Sequence, residues 1–297
     1  MLVSVLWVIV ALSVMSVTAV LETRGRMLGA GHRMASDVSE WHLLACASQE
    51  VARIQEAMLV DDEEQERRRF WRRLDRGVPP STRFYGTRCA LRLDAEGTSL
   101  NVNGVTAARM TAFFTAHGLG NRVDLVDALL DWMDEDTLPR GGGAERAWYR
   151  MNGRIPPRDG RIQHQNELRL IRGFEDLAAD VLAELSVGDG RIFLQAAPRA
   201  VLATIPGLSA DGISRLQQER ESATLDDISE LEEVVGPRDA EAVRENYPAI
   251  VSLATVDPEA WILRVEAAGT SGTAASGLEL RLIRSPAGAT IAWQRVW

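Results

Sequence analysis

The chain opens on an unbroken apolar run, with no Asp, Glu, Lys, Arg, His, Pro or Gly between residues 1 and 21. The first charges are Glu22, Arg24 and Arg26. A helix of that length rises roughly 30 Å, enough to cross a bilayer core. A cleaved secretory signal carries a basic start and a shorter apolar stretch, so the pattern predicts a membrane anchor over residues 1–21. Beyond it, apolar and small residues recur at three- and four-residue steps: Met34, Val38, Trp41, Leu44, Ala45, Ser48, Val51, Ala52, Ile54 and Met58. That period predicts that the helix continues over residues 22–58, amphipathic and suited to packing on a domain.

Pro79 and Pro80 end the next helical stretch. RFYGTRCALRL and SLNVN, around a turn at residues 94–97, read as a hairpin. Residues 59–103 therefore supply a linker helix and the first strands. Residues 104–250 are mainly helical. RVDLVDALLDWMD sets Val123, Val126, Leu129, Leu130 and Met133 at amphipathic spacing and stops in a loop at residues 135–143. QNELRLIRGF and EDLAADVLAELS read as further helical pieces, and GRIFLQAAP as a strand returning to the sheet. ATIPGLSADGISRLQQER and TLDDISELEEVVGPRDAEAVREN form two successive helix-turn-helix units. Residues 251–297 change character: WILRVEAAGT, LELRLIRS and TIAWQRVW alternate as strands, with Leu263 and Val265, or Leu278, Leu280 and Leu282, on one face. The fold class is α+β: a long N-terminal helix on a small antiparallel sheet, with a large all-helical domain inserted between its strands.

Charge narrows the partners. The 297 residues carry a formal net charge of −9, which disfavours general affinity for nucleic acid. A basic cluster at Arg67, Arg68, Arg69, Arg72 and Arg73 follows an acidic run at residues 61–66 and reads as a solvated, salt-bridged helix face. Two cysteines, Cys46 and Cys89, are too few for a disulfide scaffold and lack zinc spacing. In an oxidising compartment they could bridge, and two separate buried thiols fit equally well. Arg24 and Arg26 follow the apolar run, so the positive-inside rule alone would keep the body cytoplasmic unless a basic leader precedes the run.

The chemistry-bearing residues are sparse. His32, His42, His117 and His164 are scattered, and there is no H-E-x-x-H, G-x-S-x-G or phosphate loop, so no enzyme is expected. In DWMDEDTLPRGGGAER, Asp131, Asp134 and Asp136 stand at a helix end, with Glu145 across a Gly-rich turn. Calcium takes six to eight oxygens, and such carboxylates can supply several. The spacing is not that of an EF-hand, and a solvated acidic loop is the competing reading. The turn Gly207-Leu208-Ser209 resembles a helix-hairpin-helix, but the second glycine of nucleic-acid-binding versions is replaced. Arg215 and Arg220 alternate there with Glu219 and Glu221, which favours helix pairing for its own sake over DNA binding.

Four stretches, in order, resemble the K-type minor pseudopilin family of type II secretion: MLVSVLWVIVALS, LVDALLDWMDEDTLPRGGGAERAWY, NELRLIRGF and LQAAPRAVLATIPGLS. The second is the most specific. The resemblance implies a pseudopilin fold and a role at the tip of the periplasmic pseudopilus, assisting export of folded proteins across the outer membrane. It implies minor pseudopilins I and J and the rest of the pseudopilus as partners, and no nucleic acid. It further implies single-pass storage in the inner membrane before assembly, with the C-terminal body in the periplasm. Members can bind calcium near the helical domain, which turns attention to Asp134, Asp136 and Glu145. Most pilin-type subunits carry a Glu near the mature start, where this chain has Ser4. An unpaired buried carboxylate is costly, so its absence suits a subunit with no neighbour above it. The family's short basic leader is expected ahead of the apolar run, and IFLQAAP at residues 192–198 departs from the family pattern. The alternative reading is a membrane-anchored nucleic-acid-binding protein of competence type, using the tandem helix-hairpin-helix units.

Overall fold

The computed structural model describes residues 40–60, 63–84, 87–188, 190–222, 225–267, 277–286 and 288–296. The anchor expected over residues 1–21, Ser4, and residues 22–39 of the helical continuation lie outside the described residues. Among the described residues no helix is long and apolar enough to cross a membrane.

The first described element is helix α1, residues 40–59. Its stripe is divided between two faces. Leu43, Cys46, Ala47, Val51, Ile54 and Met58 are buried, at the three- and four-residue steps that hold one helix face against a sheet. Trp41, by contrast, is 71% exposed, and Ser48 and Ala52 also face outward. A strand brace comes next: α2 (Glu64–Arg72) and the single turn α3 (Leu74–Gly77).

The five-stranded antiparallel sheet takes β1 (Ser81–Phe84) and β2 (Thr87–Ala95) from one end of the chain. It takes β7 (Ala260–Ala267), β8 (Gly277–Ser285) and β9 (Gly288–Val296) from the other, in the order β1-β2-β7-β8-β9. Leu263 pairs with Leu280 and Val265 with Leu278, so the predicted alternation places one apolar row under α1. The opposite face is a charge ladder. Arg264 pairs with Asp94 and Glu279, Arg295 also pairs with Glu279, and Arg281 pairs with Glu96.

Between β2 and β7 lies the helical region. Four short strands, β3 (Leu100–Asn101), β4 (Leu185–Ser186), β5 (Ile192–Phe193) and β6 (Ala254–Thr255), pair in parallel there as β3 with β4 and β5 with β6. Its helices are α4 (Ala107–Ala116), α5 (Val123–Met133), α6 (Arg146–Met151), α7 (Ala179–Ala183) and α8 (Arg199–Leu202). They are followed by α9 (Ala210–Ser222), α10 (Leu231–Val234), α11 (Pro237–Glu245) and α12 (Tyr247–Leu253). A second core, including Phe113, Phe114, Trp132, Tyr149 and Phe174, fills this region.

Two strand expectations are corrected. The segment after the 94–97 turn does not fold back on β2. β2 pairs instead with β1 on one side and β7 on the other, while Leu100 pairs with Leu185. Leu100 and Val102 are fully buried in the helical core, and that burial draws the segment away from the sheet. GRIFLQAAP likewise does not return to the main sheet, because Ile192 and Phe193 pair with Ala254 and Thr255. Phe193 nevertheless crosses the junction and buries in the sheet's core. Gly97 permits the crossing: its φ is +90°, and a Cβ there would collide with the Arg191 carbonyl and the Phe193 amide.

The basic cluster is also more than a solvated face. Arg67 and Arg69 do pair with Glu64 and Glu66. Arg68 and Arg72 turn inward to Asp257, however, and Arg72 reaches Asp226 at 2.6 Å. Trp71 Nε1 donates to the Pro258 carbonyl and Trp261 Nε1 to the Trp71 carbonyl, both at 2.9 Å. Helix α2 thereby clamps the exit of the helical region onto the sheet.

The cysteines are joined. Cys46 on α1 and Cys89 on β2 form a disulfide with Cα atoms 6.5 Å apart, within the ordinary range.

Candidate functional site

Helix α5 ends at Met133, and Asp134 leaves it in extended conformation (φ −79°, ψ 168°). The loop that follows is folded back by the helix's own carboxylates. Gly142 N donates to Asp127 Oδ2 at 2.9 Å, and Arg140 N donates to Asp131 Oδ2 at 3.1 Å. Only glycine fits at position 143, where a Cβ would strike the Asp131 carboxylate. The chain then enters α6 through Glu145, which occupies the N-cap position without its carboxylate accepting from the helix amides.

That carboxylate points inward. Asp131, Asp134 and Glu145 each bring an oxygen within 4.8 Å of the others. Asp131 is 0% and Glu145 4% exposed. Arg140 Nη1 donates to Asp131 Oδ1 at 2.5 Å and pairs with Asp134 Oδ2 as well. Among the described residues, three buried oxygens of this cluster have no hydrogen-bond partner: Asp134 Oδ1 and both oxygens of Glu145. Burial, and then the charges of Asp131 and Asp134, hold the Glu145 carboxyl above its ordinary pKa. The Asp134 and Asp131 hydrogen bonds hold the Arg140 guanidinium above its own.

The wall behind the cluster is rigid and aromatic. Trp132 and Tyr149 meet edge to face with centroids 5.1 Å apart, and Trp132 Nε1 donates to buried Glu167 at 3.1 Å. Arg172 lies over the Trp148 ring and donates to the Gly143 carbonyl at 2.8 Å.

Of the residues singled out from sequence, Asp134 and Glu145 are brought together and Asp136 is not. Asp136 is exposed and accepts from Leu138 N at 2.8 Å in its own turn. Asp131 takes the third place. The signal was its spacing: residues three apart share a helix face, whereas Asp136 lies past the helix end.

The donor set passes a chemical test for a hard cation. It is all carboxylate, partly preorganised, and holds orphaned buried oxygens that are costly when unsatisfied. Asp131, Asp134 and Glu145 are the residues that would hold the ion, with Arg140 the group it would meet.

The helix-hairpin-helix pair is closed on itself. Asp239, 4% exposed, accepts from Ser209 N at 2.8 Å in the first hairpin turn. An anion-binding amide is thus already taken by a carboxylate of the second hairpin. Three of the surrounding arginines are engaged too. Arg220 donates to the Leu194 and Ala197 carbonyls, Arg238 pairs with Asp211, and Arg244 pairs with Glu232.

Residues 92–185, which include the carboxylate cluster, match the family model described as Type II secretion system (T2SS), protein K. The fold matches a chain in the crystal structure of the GspK-GspI-GspJ complex from the enterotoxigenic Escherichia coli type 2 secretion system. The TM-score is 0.68 at 13% identity, covering 90% of this chain and 99% of that one. No curated protein matches the sequence. The sheet, its covering helix and the helical insertion are the fold shared with that solved chain. Over residues 92–185 the chain is thus similar to the protein K family of that system.

Proposed function

We propose that this chain is the minor pseudopilin at the tip of the type II secretion pseudopilus, a non-catalytic subunit that assists export of folded proteins across the outer membrane. Its partners on this reading are the I- and J-type minor pseudopilins, with storage in the inner membrane through residues 1–21 and the body in the periplasm. The observation that carries the reading is the likeness along 90% of the chain to a chain solved within a GspK-GspI-GspJ complex, joined to the family match at residues 92–185. The Cys46–Cys89 disulfide adds support, since such bonds persist in oxidising compartments. The bulky helical region between β2 and β7 suits an end position, because it would obstruct a further subunit stacked above.

Calcium is the cofactor we propose, held by Asp131, Asp134 and Glu145. The orphaned oxygens of Glu145 and Asp134 support it. The competence-type nucleic-acid reading is disfavoured by the Asp239 carboxylate on the hairpin amide and by the net charge of −9.

The direct test is co-expression of the full chain with the I- and J-type subunits of its own secretion system, followed by affinity purification and size analysis. A stable ternary complex is expected. Recovery of the chain alone, or salt-sensitive DNA binding, overturns the tip reading.

A further inference from the structure

We propose that Arg140 is a tethered counter-cation of the carboxylate cluster, one that a divalent ion must displace and that therefore sets the site's affinity and charge preference. The inference rests on the calcium reading above and concerns how that site is governed.

The guanidinium already holds an oxygen on two of the three candidate ligands. One nitrogen, Nη1, serves both Asp131 Oδ1 and Asp134 Oδ2. Asp131 has no oxygen that Arg140 does not already hold, Oδ1 by Nη1 and Oδ2 by the backbone N–H, so an ion that takes Asp131 Oδ1 at about 2.3–2.6 Å competes with the guanidinium for it. Among the described residues, neither Glu145 oxygen has a hydrogen-bond partner. Arg140 thus neutralises part of the cluster and leaves the buried Glu145 carboxylate unanswered. A monovalent ion that displaced Arg140 would exchange one positive charge for another. A divalent ion brings a second charge and can also engage Glu145. The arrangement selects for charge before it selects for size.

The loop is built so that the side chain can leave without dissolving the site. Arg140 holds Asp131 twice, through Nη1 and through its backbone N–H to Oδ2 at 3.1 Å. The second bond, together with Gly142 N on Asp127, stays in place when the guanidinium swings away. Its side chain is 39% exposed, so the path to solvent is open. The site therefore alternates between two closed forms, one neutralised by Arg140 and one by a divalent ion, on a single backbone.

The test is calorimetric calcium titration of the chelator-stripped full chain, comparing wild type with Arg140→Gln and Arg140→Lys. Arg140→Gln is expected to bind calcium on the order of tenfold more tightly, as loss of one charge-assisted competitor implies. Arg140→Lys keeps a competing charge and stays near wild type. In the wild type, the Arg140 guanidinium NMR signals should move on calcium addition, whatever the variants do. Equal affinity for wild type and Arg140→Gln, or weaker binding by Arg140→Gln, overturns the competition and leaves the calcium site standing. Absence of calcium binding by all three overturns both readings.

Discussion

Cys46 Sγ on α1 is bonded to Cys89 Sγ on β2, tying the long helix to the sheet across 43 residues of sequence. Closing a loop of that length restrains the unfolded chain by about 4 kcal/mol on the entropic model. Reduction, or Cys46→Ser with Cys89→Ser, should lower unfolding stability by roughly 2–4 kcal/mol. Urea denaturation with and without reductant measures this, alongside a thiol count that should read zero in the unreduced folded protein. Free thiols in protein purified from an oxidising compartment would contradict the bond.

Asp257 sits between Arg68 and Arg72, with the Arg72 side chain only 2% exposed. Burial works to raise its pKa, but the hydrogen bonds from Arg72 and Arg68 outweigh it and hold the carboxyl below its usual range. A depressed folded pKa contributes stability above the unfolded value of about 3.9 and loses it as pH falls through the folded one. Asp257→Asn should cost about 3 kcal/mol at neutral pH, since it leaves buried Arg72 short of a partner. The gap between wild type and variant should close only in strong acid. A gap that persists unchanged there would show that the loss is one of shape rather than charge.

Asp239 holds the first hairpin through Ser209 N. Asp239→Ala should destabilise the helical region by about 2 kcal/mol, the cost of losing a buried charged hydrogen bond. It should not create DNA binding, because Arg220, Arg238 and Arg244 stay engaged elsewhere. Thermal unfolding and a low-salt DNA titration read the two effects separately.

Trp41 on α1 and Val296 on the edge strand β9 are 71% and 48% exposed. Trp41→Ala and Val296→Glu should leave the melting temperature unchanged. If partner subunits cover either position, its substitution should weaken the complex by about 2 kcal/mol, as anchors in an interface do. Unchanged co-purification of both variants would move the partner surface elsewhere.

Sequence periodicity made much of this molecule readable. The rows Leu263–Val265 and Leu278–Leu280–Leu282, the helix at residues 123–133 and the paired hairpins are local patterns, because alternation and 3.6-residue spacing state which side is buried. The apolar run at residues 1–21 and the absence of an H-E-x-x-H motif were equally plain. What periodicity could not supply was the partner of each strand. Leu100 and Phe193 are apolar in short segments, and their destination depended on which of two cores had room for them.

The carboxylate site divides the same way. Its sequence contains the acids and the glycines that let the loop turn back, so a carboxylate cluster near residues 131–145 was legible. Tertiary structure alone decided that Asp131 rather than Asp136 joins Glu145, that Arg140 answers two of the acids, and that Cys46 meets Cys89. The physical reason is common to all three. Local spacing dictates the direction in which a side chain leaves its own element, whereas charge pairing and bond formation depend on distances between groups on different elements and loops. Those distances exist only once both cores have closed.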